Sequence, residues 1–196
     1  MPLLQLLVCV ALLGWAVVHA EEPAQPFADW PRGWTLGLGA EFPGAKGTLD
    51  PAADGDLQAL RLAGDFAGGG NYVSVGRNFP VPFDLDQLTV RVRGDAPAFW
   101  LRLTDGTGQT FQQRIALDPA AAGWRTVRIR EFGDPARTGI VRWGGAADGL
   151  WRGPARSLAL ILMRSDLGGR TAAALEFAGV EAAGRPPRNR PSAPWW

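Results

Sequence analysis

The stretch from Phe99 to Leu117, FWLRLTDGTGQTFQQRIAL, consists of two alternating runs about a Gly-containing turn, the pattern of a β-hairpin. Side chains alternate across a strand, so Phe99, Leu101 and Leu103 point one way and Trp100, Arg102 and Thr104 the other. In the second run Phe111, Ile115 and Leu117 share a face, opposite Thr110, Gln112 and Arg114. Placing both apolar sets on one side dictates the pairing, because a one-residue slip would turn every side chain over. Leu103 must face Phe111 and Phe99 must face Ile115, which sets Trp100 across from Arg114 and Arg102 across from Gln112. The polar face then carries an indole, two guanidinium groups and an amide. Gln113 points inward, the one discordant position of this register.

The rest of the chain reads as strands as well. Trp34–Leu38, Leu57–Phe66, Asn71–Phe79, Gln87–Arg93, Trp124–Glu131, Ser157–Arg164 and Ala172–Glu181 are alternating or continuously apolar runs. Glu41–Gly47 is punctuated by Gly and Pro and reads as turns or edges. Pro80 and Pro82 are expected to end one strand before the next begins. LALILM within Ser157–Arg164 is apolar on both faces, as in a central strand. No segment holds a helical period. About nine or ten short strands between turn signals point to an all-β domain, a jelly-roll β-sandwich of two antiparallel sheets.

The first twenty residues, MPLLQLLVCVALLGWAVVHA, contain no charged side chain and end in a small-residue pattern, so they read as a secretory signal peptide. An uncleaved anchor is the alternative. Residues 21–29 are expected to be a short leader, 30–183 the domain, and 184–196 a flexible Pro/Arg-rich tail ending in Trp195 and Trp196. The expected location is therefore secreted or periplasmic, with no membrane span once the signal is removed.

Cys9 and His19 are the single cysteine and histidine, and both lie in the leader. The domain thus lacks the groups for disulfides, Cys/His zinc sites, Ser-His or Cys-His catalysis and imidazole acid–base chemistry. A secreted domain without disulfides is more typical of bacterial export. The net charge of +1 gives no bulk attraction for nucleic acid. Nine tryptophans are many for this length, and each can serve as core filler or as a stacking platform.

The segment TGIVRWGGAADGLWRGP, before and including Pro154, is too long and glycine-rich for a simple turn and is read as a loop. Trp143 and Trp151 bracket Gly144, Gly145, Asp148 and Gly149. Either the tryptophans stack on a ligand while Asp148, Arg142 and Arg152 bond its hydroxyls, or the loop is structural and its tryptophans plug the end of the sandwich.

Three motifs, EFPGAKGTL, TDGTGQTFQ and WGGAADGLWRGP, resemble the galactose-binding-like jelly-roll modules attached to bacterial glycoside hydrolases, which are similar to carbohydrate-binding modules. The resemblance implies a β-sandwich that binds a poly- or oligosaccharide without cleaving it. It also implies, as in many such modules, a structural calcium near the first and last strands with an Asp in the last. Here Ala178 and Gly179 stand in that strand, with Glu176 and Glu181 as the remaining carboxylates, so no cofactor is expected and calcium is doubtful. With no catalytic domain read after it, the module is expected to act alone or beside a separately encoded glycoside hydrolase.

A sugar presents apolar CH faces ringed by hydroxyls, so its site calls for an aromatic platform beside Arg, Gln and Asp. On this reading Trp100, Trp143, Trp151 and Tyr72 stack, and Arg102, Gln112, Arg114 and Asp148 hydrogen-bond. Outward Arg91, Arg93, Arg128 and Arg130 would favour acidic glycans if they share that face. Two other classes are carried along. One is a structural or protein-interaction sandwich of the periplasm or cell surface. The other is a glycoside hydrolase or lyase, for which Asp105, Asp148, Glu131 and Asp65 show no spacing that marks a carboxylate pair.

Overall fold

A computed structural model describes residues 26–118, 120–121, 123–130, 132 and 139–185. The expected signal peptide, most of the short leader and the tail from residue 186 lie outside them. Among the described residues ten strands form: β1 (Thr35–Gly37), β2 (Lys46–Asp54), β3 (Leu57–Asp65), β4 (Tyr72–Gly94), β5 (Ala98–Thr104), β6 (Thr110–Ala116), β7 (Arg125–Arg130), β8 (Ile140–Trp143), β9 (Ala155–Met163) and β10 (Ala172–Arg185). A 3₁₀ turn, Arg164–Leu167, follows β9.

All pairings are antiparallel. One sheet runs β1-β4-β9-β5-β6-β8 and the other β2-β3-β10-β4-β7. β4 belongs to both: Tyr72–Asn78 pairs with β9, and Asp84–Gly94 pairs with β10. The protein is a jelly-roll β-sandwich.

β4 is longer than the sequence predicts, since it passes through Pro80 and Pro82 rather than ending there. The two prolines sit where the β9 ladder is interrupted, between Asn78 and Phe83, so their missing N–H groups cost no ladder bond. β2 was not anticipated. It is an edge strand paired only with β3, mostly exposed, and it tolerates Pro51, so it carries little apolar alternation.

The core lies between the sheets. Val73, Val75, Phe99, Leu101, Leu103, Leu158, Leu160 and Leu162 meet Leu60, Leu62, Leu88, Val90, Val92, Leu175 and Phe177. Phe99 and Phe177 touch edge to face, with ring centroids 5.6 Å apart. Each fully buried side chain of this size contributes about 1.5–3 kcal/mol through apolar burial. The fold reaches back into the expected leader: Phe27 is only 2% exposed and packs on Trp34 and Phe79, and Asp29 pairs with Arg77. Among the described residues no helix is long and apolar enough to cross a membrane.

Candidate functional site

The β5–β6 hairpin has the register that its alternation demands: Leu103 faces Phe111, Phe99 faces Ile115, Trp100 faces Arg114 and Arg102 faces Gln112. The polar set lies on the outer face of the first sheet. Pairing on either side of the hairpin extends each row. Arg102 lies beside Ala159 of β9, which lies beside Gly76 of β4, while Thr110 lies beside Trp143 of β8.

These rows form a trough of about 690 Å³. Small residues make its floor, namely Gly76, Ala159 and Ser157. A Cβ at Gly76 would stand 3.2 Å from the Leu158 carbonyl and 3.3 Å from the Ala159 methyl, so the floor is low because nothing larger fits without displacement. Arg102, Thr104, Thr110 and Trp143 form one wall, and Thr35, Arg77 and Pro80 the other.

Arg102 is the centre of the wall. Its Nε donates to Gln112 Oε1 at 2.8 Å. Its guanidinium carbon lies 5.0 Å from the Tyr72 ring centroid and 5.4 Å from that of Trp143, both cation–π distances. Tyr72 is 7% exposed; it supports Arg102 from below instead of presenting an open ring. Its hydroxyl donates to Glu41 Oε1 at 2.5 Å. Burial, and then that bond, raise the Tyr72 pKa, while the same hydroxyl holds the Glu41 carboxyl below its usual range. Gln112 is buried, and Trp143 at the rim is 42% exposed. At one end of the face Trp100 Nε1 donates to Asp166 Oδ2 at 2.6 Å, and Arg114 Nε to Asp166 Oδ1 at 2.7 Å. Their polar edges are thus tied to the 3₁₀ turn.

Trp151 and Asp148 do not join this face. Trp151 packs on the core side, its ring 5.2 Å from that of Phe111 and 5.8 Å from that of Phe132, as the plugging alternative anticipates. Asp148 organises its own loop: it accepts from the Leu150 amide at 3.0 Å and pairs with Arg152, and these contacts lower its pKa. The segment read as loop also contains β8, which pairs with β6 and delivers Trp143 to the trough.

The loop is clamped to the hairpin tip by Asp105, which is wholly buried. Asp105 Oδ1 accepts from the Thr107 amide (2.8 Å), the Thr107 hydroxyl (2.7 Å) and the Gln109 amide (3.0 Å), and Oδ2 accepts from the Arg152 amide (3.0 Å). Gln109 Nε2 donates to the Leu150 carbonyl at 3.0 Å, and the Gly149 amide donates to Gln109 Oε1 at 2.9 Å. Gly145 takes φ +52, and a Cβ there would overlap the Gln109 amide, so only glycine lets the loop lie this close.

Arg91, Arg93, Arg128 and Arg130 lie on the other sheet, on strands β4 and β7, away from the trough. Arg93 pairs with Asp54 and Glu176 and stacks on Trp124 at 4.5 Å. That pairing occupies Glu176, and among the described residues no group of three Asp, Glu, His or Cys side chains is placed to hold a metal ion. A second depression on that sheet, lined by Lys46, Arg61, Asp65 and alanines, contains no aromatic side chain.

Sequence reasoning missed the trough floor. Gly76 lies on one stretch and Ser157 and Ala159 on another, and their only signal is that each falls on the outward parity of its strand. The order of β4, β9 and β5 was needed to bring them together.

No sequence-family profile matches the chain, and no curated protein matches it. Solved structures do. A family 11 carbohydrate-binding module of a cellulosomal cellulase from Clostridium thermocellum is similar at a TM-score of 0.58 and 11% identity, over 83% of this chain and 94% of that one. A family 11 module from Clostridium thermocellum in complex with a β-1,3-1,4-mixed-linked tetrasaccharide is similar at 0.55 and 12% identity, over 79% and 90%. An exo-β-agarase is similar at 0.50 and 12% identity, over 86% of this chain but 26% of that one. The chain has the jelly-roll fold of carbohydrate-binding modules.

Proposed function

We propose that this protein binds a poly- or oligosaccharide chain in the trough on the outer face of the β1-β4-β9-β5-β6-β8 sheet, and does not cleave it. The observation that carries this reading is the trough itself. It is an open channel over Gly76, Ala159 and Ser157, with the exposed ring of Trp143 at its rim and Arg102, held from behind by the buried Gln112, in its wall. The apolar CH faces of a sugar suit the indole, and its hydroxyls suit the guanidinium. A family 11 carbohydrate-binding module of similar fold is known in complex with a mixed-linked tetrasaccharide, which supports this reading.

A hydrolase would need two carboxylates about 5–10 Å apart across the bond to be cut. The described residues lining the trough include no Asp or Glu, which favours binding over catalysis. The apolar first twenty residues support action outside the cytoplasm, where a separately encoded glycoside hydrolase would share the substrate.

Affinity electrophoresis through gels containing mixed-linked β-glucan, galactan, agarose or pectin tests the reading. Retardation by at least one polysaccharide, weakened about tenfold in Trp143→Ala, is expected. A folded protein that migrates freely through all of them, or one that releases sugar from them, would overturn it.

A further inference from the structure

We infer that the saccharide held in the trough is anionic, carrying a carboxylate or a sulfate ester, with Arg102 as its counter-ion. This rests on the carbohydrate-binding reading and names the class of chain.

The charge balance of the trough is one-sided. Among the described residues its lining contains two guanidinium groups, those of Arg77 and Arg102, and no carboxylate. Arg77 is already neutralised: it donates to both oxygens of Asp29, at 2.5 and 2.9 Å, and to the Arg32 carbonyl at 2.8 Å. Arg93, Arg114, Arg152 and Arg170 form ion pairs as well. Arg102 forms none among the described residues, although it is half-buried. The carboxylate related to it, that of Glu41, is engaged by the Tyr72 hydroxyl, which stands between the two.

The geometry of Arg102 matches a two-oxygen anion. Its Nε is committed to Gln112, which fixes the plane of the guanidinium. Its Nη1 makes only a 3.4 Å contact with the Tyr72 oxygen. The Nη edge therefore keeps donors for a ligand, and a carboxylate or sulfate can take two of them in parallel. The rings of Tyr72 and Trp143 displace water from around the guanidinium, which strengthens its attraction for an anion. A neutral hydroxyl would accept one bond and bring no opposite charge.

The experiment uses matched pairs of polymers in affinity gels: polygalacturonate against its methyl ester, and dextran sulfate against dextran. Retardation by one or both anionic members, and weaker retardation by the neutral partners, is expected; the two pairs separate carboxylate from sulfate. Binding should weaken between about 0.01 and 1 M salt, over which the screening length falls from about 30 to about 3 Å. Arg102→Gln should weaken anionic binding at least about tenfold. Arg91→Gln with Arg128→Gln, on the opposite sheet, should leave it unchanged.

Equal or stronger binding of the neutral members overturns the inference while the carbohydrate-binding reading stands. Anionic binding that survives Arg102→Gln but is lost in Arg91→Gln with Arg128→Gln also overturns it. No binding by any polymer, here or in the earlier panel, overturns both. The wild-type comparison of charged and neutral partners decides the question even if Arg102→Gln does not fold.

Discussion

The indole Nε1 of Trp100 donates to Oδ2 of Asp166 at 2.6 Å, tying a strand of the first sheet to the 3₁₀ turn 66 residues later. The other carboxylate oxygen accepts from Arg114, so one side chain orders two residues of the hairpin face. Asp166→Ala leaves a half-buried indole donor without its acceptor and is expected to cost about 1–3 kcal/mol. Asp166→Asn, which retains one acceptor oxygen, should cost less. Urea titration with an unchanged slope measures both. An Asp166→Ala protein as stable as wild type would show that the bond does not hold Trp100.

Trp143 and Trp151 bracket one glycine-rich segment but face opposite ways, and their substitutions should separate. Trp143→Ala removes an exposed ring from the trough rim and is expected to weaken saccharide binding with a stability change within about 0.5 kcal/mol. Trp151→Ala removes packing against Phe111 and Phe132 and is expected to cost about 2–3 kcal/mol, below the range for a fully buried tryptophan because Trp151 is only half-buried. Thermal melts and affinity gels on the two variants provide the check.

Asp105 gathers four hydrogen bonds in a site with no access to water. Asp105→Ala strands the amides of Thr107, Gln109 and Arg152, and is expected to cost at least about 3 kcal/mol. Because the Arg152 amide belongs to the loop, hydrogen exchange should accelerate through both the hairpin tip and residues 144–152. Acceleration confined to the hairpin would mean that the loop is held by other contacts.

The Glu41–Tyr72 pair predicts the pH dependence of stability. The Tyr72 hydroxyl lowers the Glu41 pKa below its ordinary 4.5, so this contribution is fully present above 4.5 and is lost as pH falls through the lowered folded value. Burial, and then the bond to Glu41, raise the Tyr72 pKa above its ordinary 10.0; that contribution is present below 10.0 and is lost as pH rises through the raised folded value. Melting temperature should be level between these limits, since the single histidine, His19, precedes the described residues. Tyr72→Phe should flatten the alkaline limb, and an alkaline limb unchanged in that variant would assign it to other groups.

Much of the hairpin was legible in the sequence, because its apolar residues alternate with a period of two on both runs and only one register buries them together. The same alternation set Trp100, Arg102, Gln112 and Arg114 on one outward face. Composition removed histidine and cysteine chemistry from the domain before any fold was known. The edge strand β2, the passage of β4 through its prolines and the strand β8 were not legible, because none of them carries a strong apolar alternation.

What only the tertiary structure decided is which distant residues meet. Gly76, Ala159 and Ser157 become the floor of a trough because β9 inserts between β4 and β5, a neighbour relation that no local pattern encodes. Trp143 and Trp151 part company because one ends a strand and the other follows a loop that folds back over the core. The outward arginines of β4 and β7 lie away from the hairpin because β4 crosses from one sheet to the other within a single strand. Alternation along a strand is a local property of the backbone and can be read residue by residue. The order of strands in a sandwich is settled by burying all the apolar faces at once.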